Sequence, residues 1–272
     1  MTQPAVQERP ATRAAAPAKA PDLVPLGALV RAELMKLFGS YAVWGIAAGA
    51  AVATAVAVAG QIAGASRSHL DLDTAAGLRE VLGAAGAGQI FALALGILHS
   101  AGEFRHGMAA RTFLQEPQRR WVVWAKACAV ALVSLGYGVL VALVALAVAL
   151  PWLSAKHAAV SPVDGTVLAV LGGTIAATTL YGVIGVGIGF VGRAPAGTLI
   201  AGIAWFLVVE TALLKLWPDG ARFLPGGAAE ALAQGKGPDL LAPGWGGLLL
   251  CGWTVLAIAV ASWDVERRDV SA

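Results

Sequence analysis

The 272-residue chain is 58% hydrophobic and only 13% charged, with a mean hydropathy of +0.75. An ordinary soluble domain carries roughly 25% charged residues. The deficit excludes a water-soluble globular protein and fits a lipid-solvated one, since each charge held at a bilayer centre costs roughly 2.5 kcal/mol or more. The net charge of +3 does not point to nucleic acid, because the basic residues sit in loops beside apolar runs. There they anchor headgroups and set topology.

Residues 1–25 hold five prolines and seven alanines and no apolar core segment, which predicts a disordered tail. No apolar stretch of the kind a signal peptide needs precedes Leu26, so the tail is expected to be retained. In Leu26–Tyr41, the residues Leu26, Val30, Leu34, Leu37 and Tyr41 form a helical stripe, with Arg31 and Lys36 off it. This predicts an amphipathic helix along the membrane surface. A charged lead-in to the first span is the other reading. Glu33 interrupts the apolar face, and Lys36, three residues on, is placed to neutralise part of its charge.

Charges then delimit six spans, at about 42–63, 82–101, 125–150, 166–191, 195–214 and 245–263. Each is close to the roughly 20 residues that cross a bilayer as a helix. The fifth must carry Glu210 inside it, and this is the one carboxylate within a span. It reads either as a proton or cation site or as an acid near the outer end that snorkels or pairs with Lys215. With both termini in the cytoplasm, 13 of the 19 Lys and Arg residues fall inside, as the positive-inside rule requires. Trp44, Trp121, Trp124 and Trp263 then mark the inner ends, and Trp152, Trp217 and Trp245 the outer ends.

Small residues recur every fourth position, as in Gly88/Ala92/Gly96, Ser134/Gly138/Ala142 and Gly185/Gly189. Such rows let helices approach closely. The glycines at 182, 185, 187 and 189 make the fourth span the expected place for a bend. Cys128 and Cys251 lie inside apolar runs without metal-ligand spacing and are expected to be buried, inert thiols. In the last outer loop, Leu224-Pro225-Gly226-Gly227 followed by Ala228–Leu232 predicts a turn and a short helix.

The densest basic cluster is Gly102–Lys126, with Arg105, Arg111, Arg119, Arg120 and Lys126, and it reads as a cytoplasmic loop between the second and third spans. No phosphate loop, HExxH or GxSxG motif occurs, and the four histidines are scattered without ligand spacing, so neither a catalytic nor a metal site is predicted.

Three segments together resemble the membrane subunit of type-2 ABC exporters, especially the actinobacterial permeases of drug and small-molecule efflux. They are RAELMKLFGSYAVW (Arg31–Trp44), GEFRHGMAARTFLQEPQRRWVVWAK (Gly102–Lys126) and FLPGGAAEAL (Phe223–Leu232). Met108 stands where a threonine is more usual, and Glu210 sits where family members often place a glutamate. The resemblance covers Leu26–Arg268. It implies an all-α permease domain at 26–268 in a bacterial plasma membrane, paired with a second copy or a homologue. Two separate ATPase subunits would bind ATP-Mg at the cytoplasmic face, and the chain itself would hold no cofactor. Residues 102–124 would form the coupling loop, with Glu103 and Arg105 as polar docking residues and Phe104, Met108 and Phe113 as apolar anchors. The surface helix carrying Arg31, Glu33 and Lys36 and a helix in this loop would be the parts that touch the ATPases. An ion-coupled secondary transporter and a non-transporting scaffold or immunity protein are the other classes the sequence allows.

Overall fold

The computed structural model describes residues 25–65, 71, 74–105, 119–155, 164–234 and 240–267, with the backbone only for 103–105 and 119. Every regular element among them is helical. A short helix α1 (Leu26–Phe38) precedes α2 (Tyr41–Gly64). Next come α3 (Ala75–Gly83), a 3₁₀ turn (Ala84–Gly88) and α4 (Gln89–Arg105), which run on as one rod. After α5 (Arg119–Ala155) and α6 (Gly165–Gly192), α7 (Pro195–Ala204) passes through a π turn (Trp205–Val209) into α8 (Glu210–Leu216). The short α9 (Pro218–Ala221) and α10 (Pro225–Leu232) lead to α11 (Pro243–Arg267). Six of these rods are long and apolar enough to cross a membrane: α2, α3–α4, α5, α6, α7–α8 and α11. The chain is a multi-pass helical membrane protein.

Local chemistry sets the helix ends. Ser40 caps α2 by accepting from the Ala42 N–H at 3.2 Å. Thr74 does the same for α3 through Gly77 at 3.1 Å, and Asp164 for α6 through Thr166 at 2.7 Å. Each satisfies a donor that the first turn leaves orphaned. Proline opens α7, α9, α10 and α11, where its fixed φ fits and its missing N–H costs nothing. Arg193 ends α6 in the left-handed region, at φ 53°. Its guanidinium then reaches Asp264 of α11 at 3.0 Å and ties the two helix ends together.

Packing shows that consecutive spans alternate in direction. One apolar cluster joins Leu37 of α1, Val43 at the start of α2, Val123 near the start of α5, Phe190 at the end of α6 and Val265 at the end of α11. A second cluster, at the opposite end, joins Ile62 of α2, Leu78 of α3, Leu153 of α5 and Val167 of α6. A third brings Leu93, Tyr181 and Leu250 against Ala228 and Ala229, so α10 folds over the bundle rather than away from it. The α1 end and the α10 end are therefore opposite ends of the protein. The seven tryptophans assigned to membrane boundaries are all exposed, as rings in an interfacial belt would be.

The glycines of α6 do not bend it. The helix is unbroken from Gly165 to Gly192, and its glycines are contact points instead. A Cβ on Gly185 would meet the Leu93 carbonyl, one on Gly187 would meet Ala257, and one on Gly182 would meet Ser134. Gly96 of α4 lies just as close to the backbone of Gly182 and Val186. Here small-residue rows substitute for a hydrophobic driving force that lipid does not supply. The departures from α geometry fall elsewhere, in the 3₁₀ turn before α4 and the π turn before α8. Cys251 also departs from expectation, being exposed on the flank of α11, while Cys128 is half-buried.

Replacing Gly96 or Gly185 with alanine forces backbone against side chain and should cost about 1–3 kcal/mol. Gly136, with nothing near its Cβ position, is the control. Its alanine variant should gain about 0.5–1 kcal/mol. Thermal unfolding of the purified variants in detergent checks both directions.

Candidate functional site

The sequence places Glu33 as a flaw in an apolar stripe, and the structure makes it the centre of α1. Glu33 and Leu37 are the buried residues of this helix, with Val30 and Leu34 packed beside them. Leu26 and Tyr41, expected on the same stripe, are exposed. The inward face is thus rotated toward the acid. Arg31 is exposed.

Lys126 meets Glu33 inside the protein. Its Nζ donates to Glu33 Oε2 at 2.6 Å, and Lys126 is 0% exposed. His99 of α4 approaches the same oxygen through Nε2 at 2.8 Å. Because that nitrogen's proton points at Glu33, the Lys126 ammonium, 3.4 Å from it, is a neighbour rather than a donor. On the outer side Lys36 donates to Oε1 at 2.5 Å, as its spacing anticipated. One carboxylate therefore takes charge or hydrogen bonds from three elements, α1, α4 and α5. Burial alone would push the Glu33 carboxyl up. The His99 hydrogen bond, the Lys126 charge and the hydrogen bonds from Lys126 and Lys36 outweigh it and hold Glu33 well below the usual carboxylate range.

This corrects the reading of Lys126 as a loop cation. It stands two turns inside α5 and takes no part in a headgroup-facing cluster, unlike the exposed Arg120. The docking residues Glu103, Phe104 and Arg105 form the last turn of α4, as backbone. Met108 and Phe113 lie outside the described residues. The charged cluster nevertheless joins α1 to α4 and α5, the two helices between which residues 106–118 fall in sequence.

The second candidate is Glu210. It neither snorkels nor pairs with Lys215, but turns inward and is 1% exposed. Its Oε1 accepts from Trp205 Nε1 at 2.8 Å and its Oε2 from the Gly226 N–H at 2.5 Å. The π turn brings the first partner into reach. Residues five apart on a regular α-helix point about 140° away from one another, whereas here the Glu210 N–H bonds back to the Trp205 carbonyl and both side chains share a face. The second partner lies in the first turn of α10, where an acid complements orphaned donors. A Cβ on Gly226 would collide with the Glu210 carboxylate, so a larger residue there would push the acid off this contact. Glu210 thus fastens the capping helix to the fifth span.

Compared with known proteins, the chain matches no family model and no curated relative.

Two outcomes are expected at the charged cluster. Lys126→Met strands a buried carboxylate and should destabilise the protein by about 3–5 kcal/mol. Adding Glu33→Gln should recover most of the loss, because no uncompensated charge then remains. Denaturant or thermal unfolding of the two variants measures this. Because the folded-state carboxyl of Glu33 is held down, its stabilisation is complete above its unfolded value, about 4.3. It disappears as pH falls from there through the lower folded value. Stability should therefore decline as pH drops below about 4, with a shallower slope in Glu33→Gln.

Proposed function

We propose that the chain is the membrane-spanning subunit of an ATP-driven transporter that exports a small drug-like or lipidic molecule. On this reading it lies in a bacterial plasma membrane with both termini cytoplasmic. It pairs with a second permease subunit, identical or homologous, and takes its energy from separate ATPase subunits that carry ATP-Mg.

The observation that carries the reading is the joint between α1, α4 and α5. A pump without a nucleotide site of its own must receive movement from outside the membrane. Residues 106–118 connect α4 to α5 in sequence, and the proposed point of contact falls among them. The Glu33–Lys126–His99 cluster locks α1 to those two helices at the point where they leave the loop. A displacement of the loop would then carry α1, α4 and α5 together instead of being absorbed in a flexible hinge. Arg193–Asp264 joins the ends of α6 and α11 in the same way. The end of the bundle that would face the ATPases is thus its electrostatically fastened end.

ATP hydrolysis by the partner subunits, reconstituted in lipid with and without this chain, tests the proposal. Hydrolysis should rise when the chain is present. With Glu103, Phe104 and Arg105 all changed to alanine, both stimulation and co-purification should be lost. An ATPase that binds and responds equally well to the triple variant removes the docking surface from 102–124.

A further inference from the structure

Two cavities meet at Phe206. One, about 720 Å³, is an apolar cleft between α6, α7 and α11, bordered by Gly187, Gly202, Trp253 and Ala257. The other, about 530 Å³, is enclosed by α3, the 3₁₀ turn, the fifth span and α10. Phe206 lines both. Its ring lies 5.0 Å from that of Tyr181, on the wall of the second cavity.

The acids of the second cavity lie at different depths. Its wall carries the carboxyls of Glu210, which is buried, and Glu230, which is exposed, together with Glu80 and Arg79. Glu210 is the deepest of them, and the two hydrogen bonds it accepts come from neutral N–H groups, those of Trp205 and Gly226. Among the described residues no lysine, arginine or histidine forms an ion pair with it. Each oxygen retains room for a further donor. A carboxylate buried at membrane depth without a counter-charge favours the arrival of a cation, and the aromatic residues Tyr181 and Phe206 stand in the same wall. Both departures from α geometry line the same chamber, through Ala84 and Gly86 of the 3₁₀ turn and Leu207 of the π turn. Such irregular turns are frequent at functional sites.

We propose that this chamber binds a lipophilic organic cation. Its charge lies against Glu210 and Glu230, and its apolar body passes Phe206 toward the neighbouring cleft. As the identity of an exported cargo, this rests on the transporter reading above. As a binding site it does not.

The test is equilibrium binding of radiolabelled tetraphenylphosphonium to the purified chain in nanodiscs of zwitterionic lipid. Tetraphenylborate, of the same shape and opposite charge, is the control. Tetraphenylphosphonium should bind saturably, with Kd raised at least about tenfold by Glu210→Gln and several-fold by Glu230→Gln. Tetraphenylborate should only partition into lipid. The proposal falls if the wild-type protein takes up no tetraphenylphosphonium saturably, or if both variants bind it within about twofold of wild type. Saturable tetraphenylborate binding that Arg79→Gln abolishes would also overturn it and make the chamber an anion site. Should Glu210→Gln fail to fold, Glu230→Gln decides alone, because Glu230 takes no part in the Glu210 cap. The assay contains neither ATP nor partner subunits, so its failure is distinct from a failure to stimulate an ATPase.

Discussion

A single ion pair, Glu33 with Lys126, sets the arrangement of one whole end of this protein. Both groups are buried, so each has lost its hydration and needs compensation from within the protein, which Glu33 draws from Lys126, His99 and Lys36. The consequence is positional. An ammonium on α5 and a carboxylate on α1 that meet at 2.6 Å fix the rotation of α1 about its own axis, its depth, and its distance from α4 through His99. Apolar contacts around Leu37 and Val43 could be satisfied by several rotations of a short helix, but the charge pair allows one.

The opposite end uses a different solution to the same problem. There Glu210 has neutral partners, an indole N–H and the first turn of α10. The carboxylate holds a lid-like helix by completing its N-terminus, and the contact forms only because a π turn rotates Glu210 toward Trp205. One end of the bundle is fastened by charge against charge, and the other by charge against oriented backbone dipoles. Between them the glycines of α4 and α6 let the central helices touch backbone to backbone.

The six spans were legible because lipid punishes charge. Runs free of Asp, Glu, Lys and Arg are long enough to see, and their boundaries carry tryptophan. The two acids were visible as anomalies, but their meaning was not. Periodicity counts Glu33 as a polar interruption, since nothing within α1 reveals a lysine 93 residues away on a facing helix. Lys126, beside four arginines in sequence, reads as one more loop cation until the helix is seen to begin at Arg119. The glycines of α6 misled for a related reason. Glycine signals both flexibility and close approach, and only the neighbouring backbone decides between them.

The π turn at Trp205–Val209 has a consequence for the register of the fifth span as a whole. Widening one turn by a residue shifts everything beyond it by about 100° relative to an unbroken helix. The residues of α8 are therefore out of phase with those of α7. In effect the span is two half-helices spliced with a phase slip, each addressing a different neighbour. Removing one residue at the splice would restore an unbroken helix and leave the outer half facing as it does now, whereas straightening the turn without a deletion would swing that half by about 100°.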